Sequence, residues 1–144
     1  QAGMTMQRAQ YKESRSWDNG GVDKEKRMFR TPDTYGYFTM TYSPVKAFNI
    51  ALSGTYTGSM LIEHHSGYIA ANRTEKTNQF LDMTLKASYD FALYKNTTLQ
   101  LNVGLNNIFN DYQSDFDKGA DRDSGYIYGP GIPRSFFAGI KISY

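Results

Sequence analysis

The chain contains no cysteine, which removes a disulfide framework and any thiolate metal site from consideration. No run of about 18 apolar residues occurs, so no segment reads as a membrane-spanning helix. Proline is scarce, with four residues in 144, and no long helical period competes with other patterns. Charge of one sign is missing too: sixteen Lys and Arg face fourteen Asp and Glu, and the basic residues form no patch of the kind that grips nucleic acid. Catalytic signatures are absent as well. There is no thiol nucleophile, no His at a persuasive spacing from a nucleophile and no Gly-rich phosphate loop, so neither a catalytic residue nor a cofactor is expected. The opening Gln1-Ala2-Gly3-Met4 has neither a basic start nor an apolar core, so an export signal is expected upstream of it.

Present instead are twelve Tyr, nine Phe and thirteen Gly, a composition suited to pleated strands and turns. The dominant pattern is alternation with period two. Leu81, Met83, Leu85, Ala87, Tyr89 and Phe91 share one parity, and Asp82, Thr84, Lys86, Ser88 and Asp90 the other. Leu99, Leu101, Val103 and Leu105 oppose Gln100, Asn102, Gly104 and Asn106. In the last segment Phe136, Ala138, Ile140, Ile142 and Tyr144 oppose Ser135, Gly139, Lys141 and Ser143, with Phe137 the exception. Phe38, Met40 and Tyr42, then Phe48, Ile50 and Leu52, repeat the pattern. Ala2, Met4 and Met6 begin it.

Connections alternate in length. Residues 43–47 and 93–97 are short, whereas 13–33, 63–77 and 110–131 are long and polar. Strictly alternating short turns and long loops describe an up-and-down antiparallel meander of about six strands, as in outer-membrane barrels with short periplasmic turns. Tyr42, Phe48, Tyr89, Phe91 and Tyr144 then fall at the periplasmic strand ends with apolar parity, as an interfacial girdle requires. A polar average composition is no obstacle, because such a barrel needs only its outer face apolar. The alternative is a soluble antiparallel barrel or sandwich that binds a ligand, with the same apolar parity turned inward. The smallest transmembrane barrels have about eight strands, so a membrane reading makes this chain part of a larger barrel or of an assembly.

The stretches Leu105-Asn106-Asn107-Ile108-Phe109-Asn110-Asp111-Tyr112 and Gly129-Pro130-Gly131-Ile132-Pro133-Arg134-Ser135-Phe136-Phe137-Ala138-Gly139-Ile140-Lys141-Ile142-Ser143-Tyr144 resemble the end of TonB-dependent receptors. The resemblance implies an all-β fold, residues 1–144 forming the C-terminal part of a transmembrane barrel of 22 strands. It implies uptake of a scarce nutrient (iron-siderophore, haem, cobalamin or glycan) across the outer membrane of a Gram-negative bacterium. The implied partners are outer-membrane lipid, the N-terminal barrel and plug of the same receptor, and TonB, reached only through a segment this chain lacks. The barrel-assembly machinery joins them, addressed by a terminal signal at Phe136, Ile140, Ile142 and Tyr144. Asp82, Lys86, Asp90, Gln100, Asn102, Asn106 and Lys141 would face the lumen or plug. Taken alone, two open sheet edges and an oily face predict self-association or a need for detergent.

Ligand contacts are expected in the long links, at Trp17, His64, His65, Tyr112, Tyr126 and Tyr128. Trp17 could stack on an aromatic or macrocyclic ligand. The two histidines, adjacent in an extended segment, point to opposite faces and do not chelate one metal. Asp111, Asp115, Asp117, Asp121 and Asp123, interleaved with Lys118, Gly119 and Arg122, lack the order of a calcium loop and read as a solvated or internally salt-bridged segment. Asp23-Lys24-Glu25-Lys26-Arg27 reads as a solvated surface of mixed sign.

Overall fold

The computed structural model describes residues 1–17 and 24–144. These residues contain no helix. Ten strands form: β1 (Ala2–Met6), β2 (Gln10–Ser16), β3 (Lys24–Arg27), β4 (Thr34–Val45), β5 (Phe48–Thr57), β6 (Leu61–His64), β7 (Arg73–Lys76), β8 (Phe80–Ala92), β9 (Thr98–Asn106) and β10 (Ser135–Ser143). Six of them build one antiparallel sheet in the order β1-β4-β5-β8-β9-β10, while β2-β3 and β6-β7 are separate two-stranded ribbons. The sheet is therefore a meander. Its five connections alternate between two tight turns at one end and three long excursions at the other.

Register converts the alternation of each strand into two continuous surfaces. Met40 lies opposite Leu52, Leu52 opposite Leu85, Leu85 opposite Leu105 and Leu105 opposite Phe136, so one apolar row crosses five strands. A one-residue slip anywhere would break it. On the opposite surface Asn49, Ser88, Asn102 and Gly139 make a polar row, and Asp90, Gln100 and Lys141 another.

Phe137 has a packing reason to break the alternation. Its register partner is Gly104, and its ring lies where a side chain at Gly104 would be. Tyr37 covers Gly3 on the same surface and Phe38 covers Gly54 on the apolar one, each across a register pair. A cross-strand aromatic thus shields the bare backbone of a glycine, which otherwise weakens a strand.

Two features of the links differ from the sequence expectation. Residues 43–47 do not all turn: β4 runs on through Ser43, Pro44 and Val45, with a register irregularity between Tyr42 and Val45. Pro44 has no N–H for the ladder, and the bulge absorbs the interruption. The links 13–33 and 63–77 contain strands, because β2 and β3 pair at Arg15↔Glu25 and Ser16↔Lys24, and β6 pairs with β7 from Leu61↔Lys76 to His64↔Arg73. Of the charge-rich stretch 23–27, Lys24–Arg27 is β3 and Asp23 lies outside the described residues, as do all of 18–23.

The buried apolar residues do not lie under the sheet's apolar face. Among the described residues the buried hydrophobics are Met60, Ile62 and Tyr126, which pack together with Tyr128 at the loop end, and Phe80, at the loop end of β8. Among the described residues nothing covers the sheet's apolar face, with Ile140 71% and Val103 56% exposed.

Candidate functional site

Two regions carry the chemistry: the two-faced sheet and the cap that the long links build over its loop end. On the apolar face Phe48, Tyr89 and Phe91 gather at the turn end, with ring centroids 6.3 Å apart for the first pair and 4.6 Å for the second. Tyr42 and Tyr144 are exposed at the same end. Phe136, Ile140, Ile142 and the following Tyr144 all have the parity of this face with large exposed areas, at the end of a sheet whose outer strand, β10, has no further partner among the described residues.

The polar face holds Asp82, Lys86, Asp90, Gln100, Asn102, Asn106 and Lys141 by parity. Several are bonded across strands. The Gln100 amide donates to Asp90 Oδ1 at 2.7 Å, Asn102 Nδ2 to the Gly139 carbonyl at 3.0 Å and Asn106 Nδ2 to Ser135 Oγ at 3.2 Å. Asp82 stands opposite Thr55, and Lys86 between Ala51 and Gly104. The surface is hydrophilic with fixed amides and a few charges of both signs.

In the cap, three separate links are stapled together. Arg30, in the left-handed region with φ 56°, donates its guanidinium to the Ile127 and Gly125 carbonyls at 3.0 and 2.6 Å and its backbone N–H to Leu61. Asn107 and Asn110 also adopt positive φ, a conformation that asparagine tolerates better than most residues. Asn107 is buried, and its side chain donates to the Asp111 and Ile132 carbonyls and accepts from the Asp111 N–H. Asn110 Oδ1 accepts the Arg134 N–H at 2.9 Å. The Asn-rich end of β9 thereby closes a loop whose two ends are 20-odd residues apart in sequence, which is a physical reason for asparagine at these positions.

Gln113, 1% exposed, is fully used: it donates to the Tyr126 carbonyl and accepts from the Tyr128 and Gly129 N–H groups. This anchors the segment that carries the acidic residues. Phe80, of polar-face parity at the start of β8, lies against Gly129 and 5.9 Å from the Tyr128 ring, so the segment folds over this side of the sheet.

His64 is 3% exposed and stacks on Tyr126 with ring centroids 3.6 Å apart. Its Nδ1 is 2.7 Å from Glu75 Oε1 and its Nε2 3.0 Å from Asp117 Oδ2. The Tyr126 hydroxyl, with one proton to donate, lies 3.1 Å from both Glu75 Oε2 and Asp115 Oδ2, and Tyr128 donates to Asp115 at 2.7 Å. Burial, then hydrogen bonding to and repulsion by these carboxylates, pushes both phenols well above the ordinary tyrosine range. Asp123 is held below its usual value: burial opposes this, but the N–H groups of His65 and Gly125 donate to it and prevail. Asp111, Asp115, Asp117 and Asp123 are therefore paired, with His64, two tyrosines and backbone N–H groups. Arg122 donates to the Gly119 carbonyl.

The ligand-contact candidates separate into two groups. His64, Tyr126 and Tyr128 form one internal cluster. Trp17 packs edge-on against Phe29 and the exposed His65, at 6.0 and 5.7 Å, in another, and Tyr112 is half-buried on the closing segment. Glu75, Asn107, Gln113 and Arg30 were not legible as site residues, because each acts through a partner distant in sequence. The one available signal was Met60, Ile62 and His64 alternating with Leu61 and Glu63 up to the start of the 63–77 link. Among the described residues no three His, Asp or Glu side chains are arranged to hold a metal ion. Comparison of the chain with family models, curated proteins and solved structures gives no match.

Proposed function

We propose that residues 1–144 are the C-terminal part of the transmembrane barrel of a TonB-dependent receptor, importing a scarce nutrient across a Gram-negative outer membrane. The observation that carries this reading is the uncovered apolar face that crosses all six strands, backed by a hydrophilic one. Soluble chains do not leave a patch of that size open to water. Hydrocarbon accepts it, provided every backbone group is paired by closing the sheet into a barrel. The free edges of β1 and β10 are where the rest of the barrel would join.

Other features agree. Strands β4, β5, β8, β9 and β10 have 9 to 13 residues, the length a tilted strand needs to cross a bilayer. Aromatics collect at the turn end, which becomes the periplasmic boundary, and the folded cap becomes extracellular. Asp82, Lys86, Asp90 and Lys141 then line a wet interior where a plug domain supplies partners. Phe136, Ile140, Ile142 and Tyr144 form the strand offered to the barrel-assembly machinery, and the terminal Pro133-Arg134 to Tyr144 pattern supports the family assignment. In the soluble alternative a second layer must lie on the apolar face, and no described residue does so.

The full-length protein is expected to sediment with outer membranes, to resist extraction by alkaline carbonate, and to migrate faster on unheated than on boiled detergent gels. Release into the soluble fraction by carbonate, with no heat-dependent mobility, would overturn the proposal.

A further inference from the structure

His64 joins three parts of the cap through one ring. It belongs to β6, Glu75 to β7, and Asp117 and Tyr126 to the closing segment between β9 and β10. A neutral imidazole carries one N–H and one lone pair, so it satisfies only one of two carboxylates and sets its lone pair against the other. Only the imidazolium donates to both. Burial at 3% exposure leaves water little access to relieve the conflict.

We propose that His64 is a pH-sensitive latch: as imidazolium it clamps the closing segment to the β6–β7 ribbon, and on losing its proton it releases that segment from the loop end of the polar face. The segment released is the one folded over Phe80, so the latch governs access to that side of the sheet from the loop end.

The surrounding charges suit this role. Arg73, the register partner of His64, donates to Glu75 at 2.6 Å, and Glu63 lies 3.7 Å from Arg30 at the base of the ribbon. Asp115 and Asp123 face the cluster from the closing segment, bonded to the two tyrosines and to backbone N–H groups. Glu75 sits below its ordinary 4.5: burial works against this, but hydrogen bonds from His64, Arg73 and Tyr126 and the attraction of Arg73 outweigh it. Burial and the neighbouring carboxylates hold the phenols well above the ordinary tyrosine range.

For His64 burial disfavours the charge, yet the hydrogen bonds to Glu75 and Asp117 and their attraction raise its pKa above the ordinary 6.5. A raised value means the folded state binds the proton more tightly. The stabilisation is therefore complete below 6.5 and is lost as pH rises through the higher folded value. Glu75, shifted the other way, loses its contribution only in acid, as pH falls below 4.5 through its lowered value.

Hydrogen exchange of the full-length protein in detergent or bilayers, followed across this range and corrected for intrinsic rates, tests the latch. Residues 61–76 and 113–130 are expected to exchange on the order of 10- to 100-fold faster above the transition, the effect of losing a hydrogen bond between charged groups. Strands β5, β8 and β9 should not change. His64→Gln is expected to abolish the transition and His65→Gln to keep it. Asp117→Asn, which preserves shape but removes one charge, is expected to move the midpoint to lower pH. The proposal fails if wild-type exchange is flat with pH, if His64→Gln keeps the transition, or if Asp117→Asn leaves the midpoint in place. Because none of these readouts involves uptake, they stand or fall separately from the receptor assignment.

Discussion

In the proposed barrel, Leu101→Arg in the full-length protein is expected to destabilise the fold by up to about 2–4 kcal/mol, the cost of a cation at the midplane of a lipid face, and by less the nearer Leu101 lies to the turn end marked by its partner Tyr89. Leu101 sits in the middle of β9, between Tyr89 of β8 and Ile140 of β10, so its side chain has apolar neighbours on both sides and no carboxylate in register. Arginine near either strand end costs less, because its long side chain reaches the interface. The control is Asn102→Arg, one residue along and on the polar face, which should cost far less. Reversible unfolding in lipid vesicles, monitored by denaturant titration, gives the difference between the two. Equal penalties would contradict the assignment of faces.

Ile62→Ala has an expected effect of similar size in a different place. Ile62 is 0% exposed and packs with Met60 and Tyr126, so truncation removes buried methyl groups and leaves a cavity, at a cost of about 2–5 kcal/mol. The loss should be local. The core of the cap lies at the loop end, its apolar link to the sheet runs through Phe80 of β8 against Tyr128, and the sheet's own apolar face is exposed. Limited proteolysis should therefore cut within 61–76 and 113–130 more readily, while β4, β5, β8 and β9 remain protected. Unchanged cleavage of the cap, or simultaneous loss of the sheet, would show that the cap is not a separate packing unit.

The strands of the sheet were readable because one physical signal, apolar parity of period two, acts within each strand and needs no distant partner. Leu81 to Phe91 and Leu99 to Leu105 fall on one surface as the pattern requires, and even Ala2 to Met6 pairs as β1. Phe137 resisted the pattern because its reason is Gly104, 33 positions away in the chain and opposite only after pairing. The β2–β3 and β6–β7 ribbons were hidden for a related reason. Strands β2, β3 and β7 are four to seven residues of mostly charged and polar side chains, and nothing local separates such a strand from a solvated loop, while the alternation of β6 is only four residues long. The cap was least legible. His64 pairs with Asp117 across 53 residues and Arg30 with Ile127 across 97, so those contacts follow from the closed chain path and not from any motif. Polar composition in 110–131 suggested a solvated or internally salt-bridged segment, whereas the buried Gln113, Asn107 and Tyr126 each make hydrogen bonds there.

Fluorescence quenching by bromine on lipid acyl chains tests the central claim most directly. A tryptophan is placed singly at position 101 or 102 of the full-length protein, with the native Trp17 replaced, and the protein is inserted in bilayers carrying brominated chains. Strong quenching at 101 and weak quenching at 102 is the predicted result, because in the proposed barrel hydrocarbon would touch only one parity of β9. Equal quenching at both positions, or none at 101, would contradict it.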